Sequence, residues 1–475
     1  MKNFNLYLLI FLLYFVTTII RVIPDGFHPD SLVYMSMAVD IVDGSSSFWH
    51  LHFTDSLFNE FYEHPPLGVY TMALPFYLFG DTLLVDKLYG VISGVLLAFL
   101  ISGIVGLTLK EHKRNALLLS LFYFLAFPIT GNSLENNLLE IPATFFILLS
   151  VYGFLKYASV LKHRILYSFA FSISLLTAFL VKGPVTLFPL ALPFFYALVF
   201  HKEYSILEMI KFYLLVTLFI SFFSFLLYLY PASNHYLYNY FNNQIVSSID
   251  GSRGGDERFK LTKQLIIDLS GIFLVSYLAV LAGVRKLPKL NFSKLFWLFL
   301  LIGLSGSLPL EVSPRQHDYY VFPSLAFFAM ALGVLFVEPV TALLKKFYSY
   351  RLIYLLNAIL LIALLFLSYE KANANSRYKH FYSDFVNANV EIVQGSKITA
   401  CVDNGVDRDK FYYNIGLKAN LKRHYRAEIT EEAKENEYYL TTKNSLKSCA
   451  VEKSNYDYLG PKEPRYYLLY KKRSN

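Results

Sequence analysis

The chain has 475 residues, of which 55% are hydrophobic and only 16% charged, with a mean hydropathy of +0.42. A soluble domain runs at roughly 45–50% apolar and about 25% charged. Here the excess is gathered into runs of roughly 16 to 26 residues nearly free of charge, the length needed to cross about 30 Å of hydrocarbon. A soluble enzyme, a disordered chain and a fibrous protein are excluded, and the chain reads as a mainly α-helical, polytopic membrane protein. Its net charge of +8 does not point to nucleic acid, because Lys and Arg sit in short clusters between apolar runs, where they orient helices. Many of the 44 Phe and 38 Tyr flank those runs, as interfacial belts do.

In chain order the runs cover residues 6–22, 84–109, 115–130, 138–157, 165–181, 184–200, 206–230, 264–284, 294–309, 320–337 and 352–368, which predicts about eleven transmembrane helices. The first is followed by Arg21-Val22-Ile23-Pro24-Asp25 instead of a small-residue cleavage site, so it reads as a retained helix. Eleven crossings put Lys2, Lys110 to Arg114, Lys156 to Arg164, Lys202, Arg285 to Lys289 and Lys345 to Arg351 on one side. By the positive-inside rule that side is the cytoplasm. The N-terminus is then cytoplasmic and the C-terminal domain outside; a bacterial inner membrane is expected over an endoplasmic reticulum, because the chain is compact and carries no long luminal insertion.

This topology divides the chain into a transmembrane module, residues 1–368, and a soluble extracytoplasmic domain, residues 369–475. Two long loops of the first module, 24–83 and 231–263, also face outward. Within the first, residues 67–79 are apolar but too short to span and are interrupted by Pro75, as expected of a segment lying in the interface. The second contains Asp250-Gly-Ser-Arg-Gly-Gly-Asp and reads as a mobile loop. In the outer domain residues 397–402 and 465–470 read as strands and 428–437 as an exposed helix, giving a small α+β fold. Both cysteines of the protein, Cys401 and Cys449, fall there. In an oxidising compartment they suggest a disulfide, two unpaired thiols being the simpler alternative.

Ionisable residues at the outer helix ends are the chemical signal, because such groups are rare near a membrane unless used or paired. Asp30 follows Pro29; with Ser31 it is expected to cap a short helix reaching about residue 42. Glu63 and His64 precede Pro65-Pro66, which fix the backbone. Glu140 opens the fourth run, where an acid also favours the helix dipole. Lys182 stands before Gly183-Pro184 in a break between two runs, and Arg315 and His317 precede the tenth. For each there is a purely structural reading: helix caps for the acids, interfacial anchoring or snorkelling for the cations. No Gly-rich phosphate loop, HExxH, CxxC or nucleophile elbow is present. Acids and cations gathered at one face of an apolar bundle fit chemistry on a lipid phosphate, with cations on the phosphate and a carboxylate as base.

The order of these motifs resembles the GT-C membrane glycosyltransferases of the protein O-mannosyltransferase and lipid A aminoarabinose transferase type. The matching residues are Asp30-x-x-x-Tyr34, Glu63-His64-Pro65-Pro66, Leu139-Glu140, Lys182-Gly183-Pro184 and Arg315 to Tyr320-Val-Phe-Pro323, within roughly residues 1–340. The resemblance implies a polyprenyl-phosphate-linked sugar as donor, no nucleotide sugar, and inverting transfer on the outer face to a lipid A, glycolipid, glycan or protein hydroxyl. It implies that Asp30 is the base, with Glu63 and Glu140 lining the same cavity. Lys182, Arg315, His317, His64 and Tyr34 would serve the donor phosphate, and Arg253 and Arg258 would close over it from the loop 231–263. Two positions depart from the pattern: Ser31 stands where the family often has a second acid, and His64 where many bacterial members have Lys. The first weakens a metal-binding version of the site; the second makes phosphate affinity depend on pH. No cofactor is expected; a divalent metal is neither required nor excluded, and the scatter of the three acids argues against one. The expected partners are the lipid-linked donor, the acceptor and membrane lipid, with the protein a monomer. The competing reading is a transporter or flippase of a lipid-linked sugar. The absence of a repeat and the position of the charges at helix ends, away from the midplane, argue against it.

Overall fold

A computed structural model describes residues 2–24, 26–249, 259–284, 289–313, 316–347, 350–372, 378–401, 408–430, 438–442, 455–464 and 466–473. The helices are α1 (Lys2–Thr17), α2 (Pro29–Val42), α3 (Leu67–Phe79), α4 (Leu83–Thr108), α5 (Lys113–Ala126) and α6 (Pro128–Glu135). There follow α7 (Glu140–Ser159), α8 (Arg164–Lys182), α9 (Leu192–Val199), α10 (Ile206–Leu229), α11 (Pro231–Tyr240) and α12 (Ser247–Ile249). The series closes with α13 (Lys260–Val284), α14 (Lys294–Ser307), α15 (Phe322–Phe347), α16 (Tyr350–Ala372), α17 (Lys379–Phe381) and α18 (Arg408–Tyr425). Strands β1 (Lys397–Cys401), β2 (Glu428–Thr430), β3 (Tyr438–Thr442), β4 (Tyr456–Tyr458) and β5 (Tyr467–Lys472) form one sheet.

Among the described residues seven helices are long and apolar enough to cross a membrane, or eight if the bent pair α5 and α6 is one span. The protein is therefore a multi-pass membrane protein of mainly helical fold. The run expected at 115–130 breaks at Pro128, where the chain bends by 70°; a proline there removes a helical hydrogen bond and clashes with the preceding turn. Three other expected spans are shorter apolar stretches, Tyr7–Val22, Pro184–Val199 and Tyr354–Glu370, so the count of eleven is not established. In the second of these Pro184 and Pro189 fall in two 3₁₀ turns before α9 begins, and Pro193 sits in the first turn of α9.

The residues sort into two compact units. The first holds residues 1–21, 62–71 and 87–369. Its buried axis is α15, which packs along α5 and α14, while α7 packs along α8. Close approach of α15 to α5 is possible because Gly333 has no Cβ; one placed there would meet Ser120 Oγ at 2.3 Å. Phe154, Tyr157 and Phe171 interlock edge-on around Phe212, with centroids 4.7–5.1 Å apart, tying α7 and α8 to α10.

The second unit holds residues 22–61, 72–86 and 370–475, so the C-terminal segment is packed with much of the first outer loop. Its sheet has the order β2-β1-β3-β5-β4. β1 runs parallel to β2 and β3, while β5 is antiparallel to β3 and β4. Ile398, Tyr438, Leu440 and Leu469 meet Leu417 and Leu421 of α18 and Phe381 and Phe385 in its core. The strands expected at 397–402 and 465–470 are present as β1 and β5. The helix expected at 428–437 is not: Glu428–Thr430 is strand β2, in register with Lys397–Thr399 of β1, and 431–437 lie outside the described residues. Nor are residues 231–249 a loop, since they form α11, a π-helical turn (Phe241–Val246) and α12. Arg253, Arg258, Arg315 and Cys449 lie outside the described residues. The expected Cys401–Cys449 bridge therefore lies outside them too.

Candidate active site

Lys182 is the last residue of α8 and Glu140 the first of α7. Because α7 and α8 pack side by side, these two ends meet: Lys182 Nζ lies 2.9 Å from Glu140 Oε1, with the side chains 9% and 3% exposed. A charged pair withdrawn this far from water is costly unless each charge answers the other. It sits in a cavity of about 270 Å³. Polar lining comes from His64, Tyr240, Gln244 and Tyr320, and an apolar wall from Pro184, Val185, Phe188, Leu310, Val312 and Pro323. The ammonium also lies 5.7 Å from the centre of the Tyr320 ring, within cation–π range.

The backbone after Lys182 is built for this closeness. Gly183 caps α8 at φ +85°, in the left-handed region, and a Cβ there would lie 1.8 Å from Tyr240 Oη. The Tyr240 hydroxyl thus rests on bare backbone beside the ion pair. Four residues earlier Tyr236 donates its hydroxyl to the His64 carbonyl at 2.8 Å, so α11 is pinned to the Glu63-His64-Pro65-Pro66 turn. Burial pushes both tyrosines above the ordinary range, and the Glu63 carboxylate adds to the shift in each. Glu63 therefore lies near enough to Tyr236 and Tyr240 for its charge to be felt.

His317 does not line the cavity. It stacks on Tyr319, centroids 5.2 Å apart, and meets Tyr320 edge-on at 5.3 Å, so it backs a wall residue. Next to it Gln316, buried, donates to Glu311 Oε2 at 2.8 Å and accepts from the Leu261 amide at 3.3 Å. Glu311 Oε1 accepts from the amide and hydroxyl of Thr262, both at 2.7 Å. These two residues anchor the start of α13 to the strip that carries Leu310 and Val312.

Asp30 and Tyr34 belong to the second unit, on α2. The cap of that helix is not Asp30 with Ser31, as the sequence suggests, but His28. Pro29 takes the first helical position, which its fixed φ suits, and this moves the cap one residue toward the N-terminus. The His28 ring accepts from the Asp30 amide at 3.4 Å, and its Nδ1 lies 3.6 Å from Asp30 Oδ2. The Asp30 carboxyl is 39% exposed. Tyr34 is buried and meets Phe61 edge-on at 6.1 Å.

Among the described residues one group has metal-ligating atoms within 4.8 Å of one another, namely His52, Asp55 and Glu428. It contains none of Asp30, Glu63 or Glu140. Its carboxylates already hold Lys397 and Lys422, each at 2.8 Å, and those ammonium groups supply the countercharge a cation would bring.

Residues 63–228 match the family of dolichyl-phosphate-mannose-protein mannosyltransferases. No curated protein matches the chain by sequence. Among solved structures the chain is similar to ArnT from Cupriavidus metallidurans bound to undecaprenyl phosphate, with a TM-score of 0.63, 11% identity, and 98% of this chain and 97% of that one covered. The apo form of that protein gives 0.60 and 11%, covering 96% and 95%. The oligosaccharyltransferase AglB from Archaeoglobus fulgidus, in complex with an inhibitory peptide and a dolichol-phosphate, gives 0.42 and 13%, covering 80% and 57%. The resemblance drawn from the motifs thus holds for the fold. The chain has an ArnT-like fold along nearly its whole length.

Proposed function

We propose that the protein transfers a sugar from a polyprenyl-phosphate carrier to a hydroxyl acceptor on the outer face of the membrane, with inversion. The observation that carries this reading is the buried Lys182–Glu140 pair at the polar end of an otherwise apolar cavity. A polyprenyl phosphate has the complementary character: one anionic group and a long apolar tail. Lys182 offers a point charge to the phosphate, the apolar wall receives the first prenyl units, and Tyr240, Tyr320 and His64 supply polar contacts. In this reading Arg315 and His317 add positive charge near the phosphate, Arg253 and Arg258 close over it, and Glu63 lines the same cavity.

The chemistry then balances simply. Asp30, partly exposed and held beside His28, takes the proton of the acceptor hydroxyl as its oxygen attacks the anomeric carbon. The bond from that carbon to the phosphate oxygen breaks, and the electron pair leaves with polyprenyl phosphate. Lys182 stabilises the charge that develops on the leaving oxygen, which is where fixed charge lowers a barrier. The GT-C fold and the match to a dolichyl-phosphate-mannose-dependent family support this class of donor; the sugar and the acceptor are left as classes.

The test is turnover of radiolabelled polyprenyl-phosphate sugars by the purified protein. Wild type should release free polyprenyl phosphate, and Asp30→Asn should lose at least about 100-fold in kcat, the lower end of what a general base contributes. Binding of donor with no release by wild type would overturn the reading in favour of a carrier protein.

A further inference from the structure

Three cations lie in the last turn of α18 and just beyond it: Lys422, Arg423 and Arg426. Each meets at least one acid of the first outer loop, Arg423 reaching also the start of α4 and Lys422 also β2, and every residue involved belongs to the second unit. Arg423, its side chain 4% exposed, grips Asp86 through Nε and Nη2 at 3.1–3.3 Å and reaches Asp81 through Nη1 at 2.8 Å. Its guanidinium also lies 5.2 Å from the Phe76 ring centre. Arg426, at a left-handed φ of +55°, joins Asp40 at 3.1 Å, Asp43 at 2.9 Å and Asp81 at 2.9 Å. Lys422 lies 3.5 Å from Asp40 and 2.8 Å from Glu428.

Asp40 and Asp43 mark the end of α2, the helix whose first turn carries Asp30. Along the helix, residues 31–40 are buried throughout, and α18 packs against it. A buried ion pair is a weak stabiliser compared with apolar packing of equal volume. A forked guanidinium, however, accepts only one placement of its carboxylates. Arg423 therefore seats the end of α18 on Asp81 and on Asp86 of α4, while Arg426 and Lys422 tie the end of α2, at Asp40 and Asp43, to that seat, fixing the axial position of a stiff rod. An α-helix rises about 1.5 Å per residue, so a shift at Asp40 is carried undamped to Asp30.

We infer that α18 is a clamp on α2, and that Arg423 and Arg426 of the C-terminal segment are positioning residues for the Asp30 carboxylate. The inference rests on the reading of Asp30 as the base. It gives the C-terminal segment a part in catalysis without contact to either substrate.

The test uses the full chain in detergent, with Arg423→Met, the partly exposed Arg426→Gln, and Arg426→Lys as the conservative replacement. Amide exchange over residues 32–40 and turnover of polyprenyl-phosphate sugar are measured together. Arg426→Gln and Arg423→Met should speed exchange in α2 and lower kcat by about 10- to 100-fold, since displacement of a reacting group by about 1 Å costs that much. The donor KM should stay within about threefold, because the phosphate cavity is untouched. Arg426→Lys should recover part of kcat. Unchanged exchange in α2, or a lowered Tm with kcat intact in Arg426→Gln, would overturn the clamp. No turnover by wild type would instead refute the transferase reading, and the exchange rates would still decide whether α18 restrains α2.

Discussion

Lys182 and Glu140 act as one unit, and their energetics can be separated by substitution. Glu140→Leu leaves an ammonium in the cavity without its carboxylate and should lower stability by about 3–5 kcal/mol, read as a drop in Tm in detergent. Combining it with Lys182→Met should restore most of that loss, since an apolar pair of similar volume replaces an ion pair at little cost, while donor binding falls at least about tenfold with the lost ammonium. Gly183→Ala makes a second prediction. The left-handed φ alone costs about 1–3 kcal/mol, and the new methyl must expel the Tyr240 hydroxyl. Both stability and turnover should fall, whereas Tyr240→Ala in the Gly183→Ala background should regain stability and not turnover. Asp30, Glu63, Glu140 and Lys182 stood out in the sequence because a charge in apolar surroundings is conspicuous. Tyr240 did not, because it is one of 38 tyrosines, most of them suited to an interface. Arg423 was equally hidden, since nothing local announces that its partners lie 337 and 342 residues earlier.

At the scale of elements, hydropathy and turn residues foretold α2, α3, the long apolar helices and strands β1 and β5. What failed were elements decided by distant contacts. Residues 428–437 look like an exposed charged helix, yet Glu428–Thr430 completes the sheet by pairing with β1. α18 is hidden in the sequence because Asn420, Lys422 and Arg423 are buried along with Leu417 and Leu421, which blurs the apolar stripe a helix usually shows. The start of α13 is another such case, since Glu311 caps it through Thr262 from 49 residues away in sequence. Glu311→Ala should cost about 1 kcal/mol, as lost helix caps do. It should raise amide exchange over residues 260–264 and leave α14 protected; equal exchange in the two proteins would contradict the capping role.

At the scale of the whole molecule, the two units are each assembled from separate stretches of chain, a grouping that no composition boundary near residue 368 reveals. The electrostatics of the second unit give it a pH signature. Burial raises the carboxyl of Asp40 above its ordinary value, against the pull of Lys422 and Arg426. Between the unfolded and folded values the native state binds more proton than the unfolded one, so Asp40 makes stability fall as pH rises through that window. Asp55 has the opposite sign: its hydrogen bond with Lys397 holds it below the ordinary value, and its contribution is lost as pH falls through that lowered value. Thermal unfolding followed across pH 4 to 7 should show a less negative slope in Asp40→Asn than in wild type, and an unchanged slope would refute the assignment.

Whether the Lys182 cavity receives a lipid phosphate is measured directly by equilibrium binding of a labelled polyprenyl phosphate to the purified protein. Wild type and Asp30→Asn should bind it saturably and alike, and Lys182→Met should bind at least about tenfold more weakly, as loss of a charge-assisted contact of about 1.5–3 kcal/mol requires. Equal binding by wild type and Lys182→Met, or no saturable binding by either, would contradict it.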